Sequence, residues 1–131
     1  MQQPVEAMDL TQESFFKGFL AALALHKQTL QATRSELHQA FFSAVTEAEH
    51  RAFIRLDDLE IDFDSLYEVS PWFDRALTRA QRDLLVSFPN PSYERIQISF
   101  AADEASSLLD GIGHRSQFER IAADFFANLQ K

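Results

Sequence analysis

The chain has no cysteine, which excludes disulfides, zinc–thiolate centres and thiol nucleophiles. Glycine is nearly as scarce, at three residues in 131. That leaves little material for a phosphate-cradling loop, and no Gly-x-Gly-x-x-Gly, Walker-type loop or Gly-x-Ser-x-Gly elbow occurs. Basic residues are outnumbered, with 12 Lys and Arg against 20 Asp and Glu, for a net charge of −8. Non-specific affinity for nucleic acid comes mainly from cations neutralising phosphates, so this balance counts against general polyanion binding. A long uninterrupted apolar run is also missing. Phe15–Leu25 is broken by Lys17, follows Glu6, Asp9 and Glu13 in place of a basic region, and is too short to span a bilayer. The expectation is a soluble, cytoplasmic protein.

What is present is ordinary globular usage, 46% hydrophobic and 24% charged. A chain of 131 residues reads as one domain, 1–131, with a loose lead-in at 1–9. Phenylalanine is the exception: thirteen rings without a polar handle suggest a core plus an extra buried seam such as a dimer interface. Phe15-Phe16 and Phe125-Phe126 each point two rings about 100° apart on a helix. The first and last helices are therefore expected to pack on each other or across a two-fold axis, making these four residues the candidate interface.

Spacing defines the elements. Asp9 and Gln12 form a plausible capping pair ahead of Phe15, Phe16, Phe19, Leu20, Leu23 and Leu30, which predicts a first helix from about 10 to 30. Thr33-Arg34-Ser35-Glu36 is a capping box, followed by Leu37, Ala40, Phe41, Ala44, Val45 and Ala48 along one stripe. Leu59–Asp64 alternates apolar with acid and predicts a short strand, with a short helix over 63–69. Ser70-Pro71 supplies an N-cap and a first-turn proline for a helix Pro71–Asp83. Leu84–Phe88, the turn Pro89–Ser92 and Tyr93–Phe100 read as a β-hairpin. Ala102–Asp110 and a helix capped by Ser116-Gln117-Phe118-Glu119 complete the chain. The fold class is mainly α with a small β-hairpin (α+β), with a helix–turn–hairpin unit at 66–100 and C-terminal helices over 101–131.

Residues 70–99 are the long stretch that is not acidic: Arg75, Arg79, Arg82 and Arg95 face Asp74, Asp83 and Glu94. On a helix, Phe73, Ala76, Leu77, Ala80 and Leu84 share about 100° of arc, and the first three arginines occupy roughly 60° opposite them. Guanidinium forks suit phosphate or carboxylate, although charges on a surface helix are also ordinary and Asp83 stands where it would pair Arg79.

The order of elements carries more. Leu66 and Val69-Ser70-Pro71 precede the helix that holds Leu77, Leu84–Val86 leads into a turn with Asn90-Pro91 and Arg95, and Ile96, Ile98 and Phe100 return. This succession, about 40 residues long, resembles the winged-helix regulators, MarR-type repressors most of all. The resemblance implies a winged helix-turn-helix with extra terminal helices, acting as a non-catalytic, homodimeric transcriptional regulator. It would place Arg75, Arg79 and Arg82 at the major groove or its flanking phosphates and Arg95 at the minor groove or backbone of duplex DNA.

A second reading uses the same scaffold. The acids at 57, 58, 60, 62, 64 and 68 would meet a basic protein partner, as in an adaptor or antitoxin-like module. Other chemistry is thin. Glu47-x-x-His50 has a metal-ligand spacing but no second copy, and Asp62-Phe63-Asp64 lacks the rest of a calcium loop. His26 and His38 read as partly buried, hydrogen-bonded side chains, and Trp72 as a core or interface anchor. No enzyme, cofactor or metal is expected.

Overall fold

Helix α1, Gln12–His26, is apolar on every side, with Phe15, Phe16 and Gly18 through Ala24 buried. A helix of that kind must be surrounded, and the rest of the chain is arranged to do so. The computed structural model describes residues 10–87 and 95–129. Within them the order is α1, β1 (Thr29–Gln31), α2 (Arg34–His50), α3 (Leu56–Leu59), α4 (Pro71–Arg82), β2 (Val86–Ser87), β3 (Arg95–Ile98), α5 (Ala102–Ile112) and α6 (Arg115–Leu129). Helices α5 and α6 pack on α1, and α6 also lies along α2, so the C-terminal pair closes over the N-terminal helices. Among the described residues no helix is long and apolar enough to cross a membrane.

The closest approach is at Gly18. A Cβ built there would stand 2.4 Å from the Phe118 ring of α6, so the ring lies directly on the α1 backbone. Glycine is required here by space, not by backbone angles.

The hairpin expected from sequence is one half of a three-stranded antiparallel sheet in the order β1-β3-β2. Leu30 pairs with Ile96, and Val86 with Ile98. These four residues face the core, while Gln31, Ser87 and Gln97 face solvent. Strand β1 lies inside the first helix predicted from spacing. The helix stops at His26 because the next segment gains a partner: the Ile98 N–H donates to the Gln28 carbonyl at 2.7 Å, and the Gln28 side-chain amide donates to the Phe100 carbonyl. Leu30 continues the helical period by coincidence of spacing.

Two further expectations are corrected. Leu59–Asp64 is not a strand: α3 is a single turn, after which Ile61 is buried and Glu60 and Asp62 are exposed. Residues 63–69 are not a helix. They form a closed loop in which Asp64 and Val69 exchange backbone hydrogen bonds of 2.7 and 3.2 Å. The alternation reflects burial along an irregular segment in which Leu59 ends a helical turn and Glu60 is left-handed. At the helix starts, Thr33 and Glu36 form the complete capping box, and their hydrogen bonds hold the Glu36 carboxyl below its usual pKa. The cap of α1 is Thr11, which accepts the Ser14 N–H at 3.1 Å; Asp9 lies outside the described residues. Ser116 sits inside the first turn of α6 instead of before it.

Scarcity of glycine shows at the helix ends. Helices α2, α3 and α4 each end in a six-residue Schellman arrangement whose left-handed position is not glycine: Ala52 (φ 63°), Glu60 (φ 59°) and Leu84 (φ 63°). The paired hydrogen bonds are Phe53 to Ala48 and Ala52 to Glu49, Ile61 to Leu56 and Glu60 to Asp57, and Leu85 to Ala80 and Leu84 to Gln81. In each case the residue after the bend is apolar and packs inward, which holds a conformation that costs roughly 1–2 kcal/mol for a residue with a Cβ.

Ala52→Gly is expected to stabilise the protein by about 0.5–1 kcal/mol, raising the thermal midpoint by roughly 2–4 °C in a calorimetric scan. Gly18→Ala is expected to act in the opposite sense. It gains about 1 kcal/mol of helix propensity but forces Phe118 off the α1 backbone, and a net loss of about 2 kcal/mol or more should appear in urea unfolding.

Candidate functional site

Helix α4 combines a tightly built inner face with an outer one that carries Arg75, Arg79 and Arg82 beside Thr78 and Gln81. Ser70 starts it, its hydroxyl accepting the Phe73 N–H at 3.1 Å, with Pro71 next in line. Trp72, Phe73, Leu77 and Ala80 are buried. Phe41 of α2 stacks on both aromatics, at 5.6 Å from Trp72 and 4.3 Å from Phe73, with interplanar angles of 9° and 14°. Trp72 donates its indole N–H to Gln12 of α1 at 3.1 Å and is therefore an anchor, not a free stacking platform.

Arg75, Arg79 and Arg82 project from the other side and are exposed. Among the described residues none of the three lies within 4.0 Å of a carboxylate oxygen, and Asp83 does not pair Arg79. Asp74, the acid inside α4, is engaged by Arg34 of α2 at 3.0 Å. Arg95 opens β3, but its side chain and the turn at 89–92 lie outside the described residues. Leu84, expected on the inner face, is 79% exposed at the left-handed bend that ends the helix.

Beside the arginine face, α4 and the first turns of α1 enclose an open cleft with an empty volume of about 470 Å³. Its floor is apolar (Phe16, Trp72, Ala76, Ala80 and Leu85), and Arg75, Arg79 and Lys17 stand at its rim. Glu13 pairs with Lys17 at 3.2 Å, and Asp83 is the remaining acid of the lining. Spacing within α4 alone does not reveal this feature, because half of it comes from a helix 60 residues away.

The acidic segment reaches the N-terminal end of α4. The Asp62 carboxylate accepts the Trp72 N–H at 3.0 Å, and Glu60 accepts from the Gln12 side chain at 3.2 Å. A carboxylate at a helix N-terminus is favourably placed against the dipole, so Asp62 holds the start of α4. Glu47 and His50 form a 3.8 Å pair beside Arg51, and among the described residues no cluster of three or more metal-type side chains occurs.

The interface residues proposed from sequence need correction. Phe15, Phe16 and Phe125 are buried inside the chain, at 0, 5 and 0% exposure, so their rings offer no surface to a second molecule. Phe15 packs on Phe118, and Phe19 on Phe125, which realises the alternative that the first and last helices pack on each other. Phe126 is half-buried against His26. Two adjacent rings on one helix were absorbed by neighbours on two sides.

His38 carries a role that spacing did not assign. It is 1% exposed, its Nδ1 accepts the Ser70 N–H at 2.9 Å, and its Nε2 lies 3.8 Å from Asp74. Phe73 meets the ring edge-on at 5.0 Å. The imidazole is thus a latch between α2 and the start of α4, and it works in the neutral form, since a protonated Nδ1 would face an N–H donor. Burial, reinforced by the charge of Arg34 and opposed by that of Asp74, holds its pKa below the usual histidine value.

A histidine depressed in the folded state stabilises fully above its unfolded pKa of about 6.5, and that contribution is lost as pH falls through the folded value. Urea unfolding at pH 7.5 and in steps below 6.5 should show this slope in the parent. His38→Asn, which keeps an acceptor without a titrating ring, should flatten that part of the curve. His38→Leu should cost about 2 kcal/mol at pH 7.5 by orphaning the Ser70 N–H, and the cost should shrink as pH falls and the parent loses its own His38 contribution.

No protein-family model matches the sequence, and neither a curated protein nor a solved structure matches it significantly.

Proposed function

We propose that the chain is a non-catalytic winged-helix DNA-binding regulator with α4 as its reading helix. The observation that carries this reading is the outer face of α4, where Arg75, Arg79 and Arg82 are exposed and without a carboxylate partner among the described residues. Support comes also from connectivity. A helix, a strand, three helices (the middle one, α3, a single turn) and two further strands follow one another, and the first strand lies against the last in the order β1-β3-β2. A winged helix has this plan: the sheet braces the reading helix from behind and offers the β2–β3 connection as a wing.

In the proposed complex the guanidinium groups engage phosphates and fix the register of α4 on the duplex, and base preference comes from side chains along its exposed face. Arg95, at the start of β3, is assigned to the wing contact on sequence grounds. The anchoring of α4 by Phe41, His38 and Ser70 supplies the rigidity such a contact needs, because a docked helix that rocked would lose its paired hydrogen bonds. The net charge of −8 then keeps general affinity low, so contact depends on one face of the molecule.

Titration of mixed duplex DNA at several salt concentrations tests this. Three phosphate contacts give a slope of log K on log salt of about −2.7, and Arg75→Ala with Arg79→Ala should bring it to about −0.9 with at least a tenfold loss of affinity at low salt. Unchanged binding in the double variant would overturn the assignment.

A further inference from the structure

The loop between α3 and α4 is built as a rigid tip with apolar side chains at its end. Asp64 and Val69 close its base through their two backbone hydrogen bonds. The Asp64 carboxylate accepts the N–H groups of Leu66 and Tyr67 at 2.9 and 3.2 Å, and the Ser35 hydroxyl donates to Glu68 at 2.9 Å. Yet Leu66 is 80% and Tyr67 72% exposed. Together with Leu84 they are the most exposed large apolar residues of the described surface. Asp64 and Glu68 flank the tip, and neither forms an ion pair among the described residues.

The α1–α4 cleft is its physical complement. It has an apolar floor, and Arg75 and Arg79 stand at its rim together with the Lys17–Glu13 pair and Asp83. We propose that the Leu66-Tyr67 tip of one copy of this chain docks in the α1–α4 cleft of a second copy. Tyr67 and Leu66 cover the partly exposed apolar side chains of the lining, Ala76 and Leu85, and the acids flanking the tip meet Arg75 and Arg79.

Three observations favour a second copy over other occupants. The tip cannot fill the cleft of its own chain, because Val69 runs straight into the capped start of α4 and the apolar side chains remain exposed there. Both halves are preorganised, so little conformational freedom is lost on contact. Charge and apolar character match on both sides: among the described residues the Asp64 and Glu68 carboxylates beside the hydrophobic tip have no cationic partner, and the Arg75 and Arg79 guanidinium groups beside the apolar floor have no carboxylate partner. This inference does not rest on DNA binding.

A contact of this size lies below about 1,200 Å² and belongs among weak associations. Sedimentation of the full chain is the test, at about 0.15 M salt, where the repulsion of two acidic molecules is screened beyond about 8 Å while contact pairs persist. The weight-average mass should rise from 15.0 kDa with concentration toward about 1 mM. Leu66→Ser with Tyr67→Ser should abolish the rise, as should Arg75→Glu with Arg79→Glu, whereas Lys27→Glu, the same kind of charge change elsewhere, should leave it intact. An equimolar mixture of the two double variants should associate again, because one supplies an intact cleft and the other an intact tip. The proposal is overturned if the parent stays at the monomer mass, if either double variant associates like the parent, if Lys27→Glu abolishes the rise, or if the mixture stays monomeric.

Discussion

Phe41 lies between the aromatic residues of α4 and the buried α1, and the placement of the candidate site depends on it. Stacked on Trp72 and Phe73 and edge-on to Phe19 at 5.3 Å, it joins α2, α4 and α1 in one aromatic cluster. Offset and edge-to-face contacts of this type add about 0.5–1.5 kcal/mol each beyond the burial of the rings. Their more important effect is directional: with the inner face of α4 held by flat rings, the face carrying the arginines has one orientation.

Polar groups complete that orientation at the helix start. Ser70, His38 and Asp62 each satisfy or use a backbone N–H there, so the first turn of α4 is held from α2 and from the acidic segment together. The acids near the arginine helix thus have two roles. Asp62 supports the helix from its N-terminal end, where negative charge suits the dipole. Those nearer the tip remain without cationic partners and shape an exposed surface of opposite sign to the cleft rim. An acidic chain with one cationic face is therefore organised into two complementary patches on either side of α4's first turn.

Much of the layout was legible from spacing. Helices with clear caps, such as those beginning at Thr33 and Ser70, lie where the sequence pattern put them, because a cap and a periodic stripe are local chemistry. The arginine face was legible for the same reason: 100° per residue holds on any helix. Strand β1 was not, since three residues become a strand only when β3 lies beside them. The acidic alternation at 59–64 misled because period-two burial also arises in an irregular segment, here a helical turn followed by a left-handed residue, that lies over a core.

By itself, then, the chain determined the helices that begin at Thr33 and Ser70 with their caps, a mainly helical fold with a small β component, and the charge segregation that leaves Arg75, Arg79 and Arg82 on one side of α4. Each of these follows from residues within a few positions of one another. Tertiary structure decided everything that required two distant segments: burial of Phe15, Phe16 and Phe125 within one chain, the His38 latch, the third strand, and the cleft whose walls are α1 and α4. The physical reason is that a side chain's periodicity states which way it points, whereas what it meets there depends on segments 30 to 100 residues away.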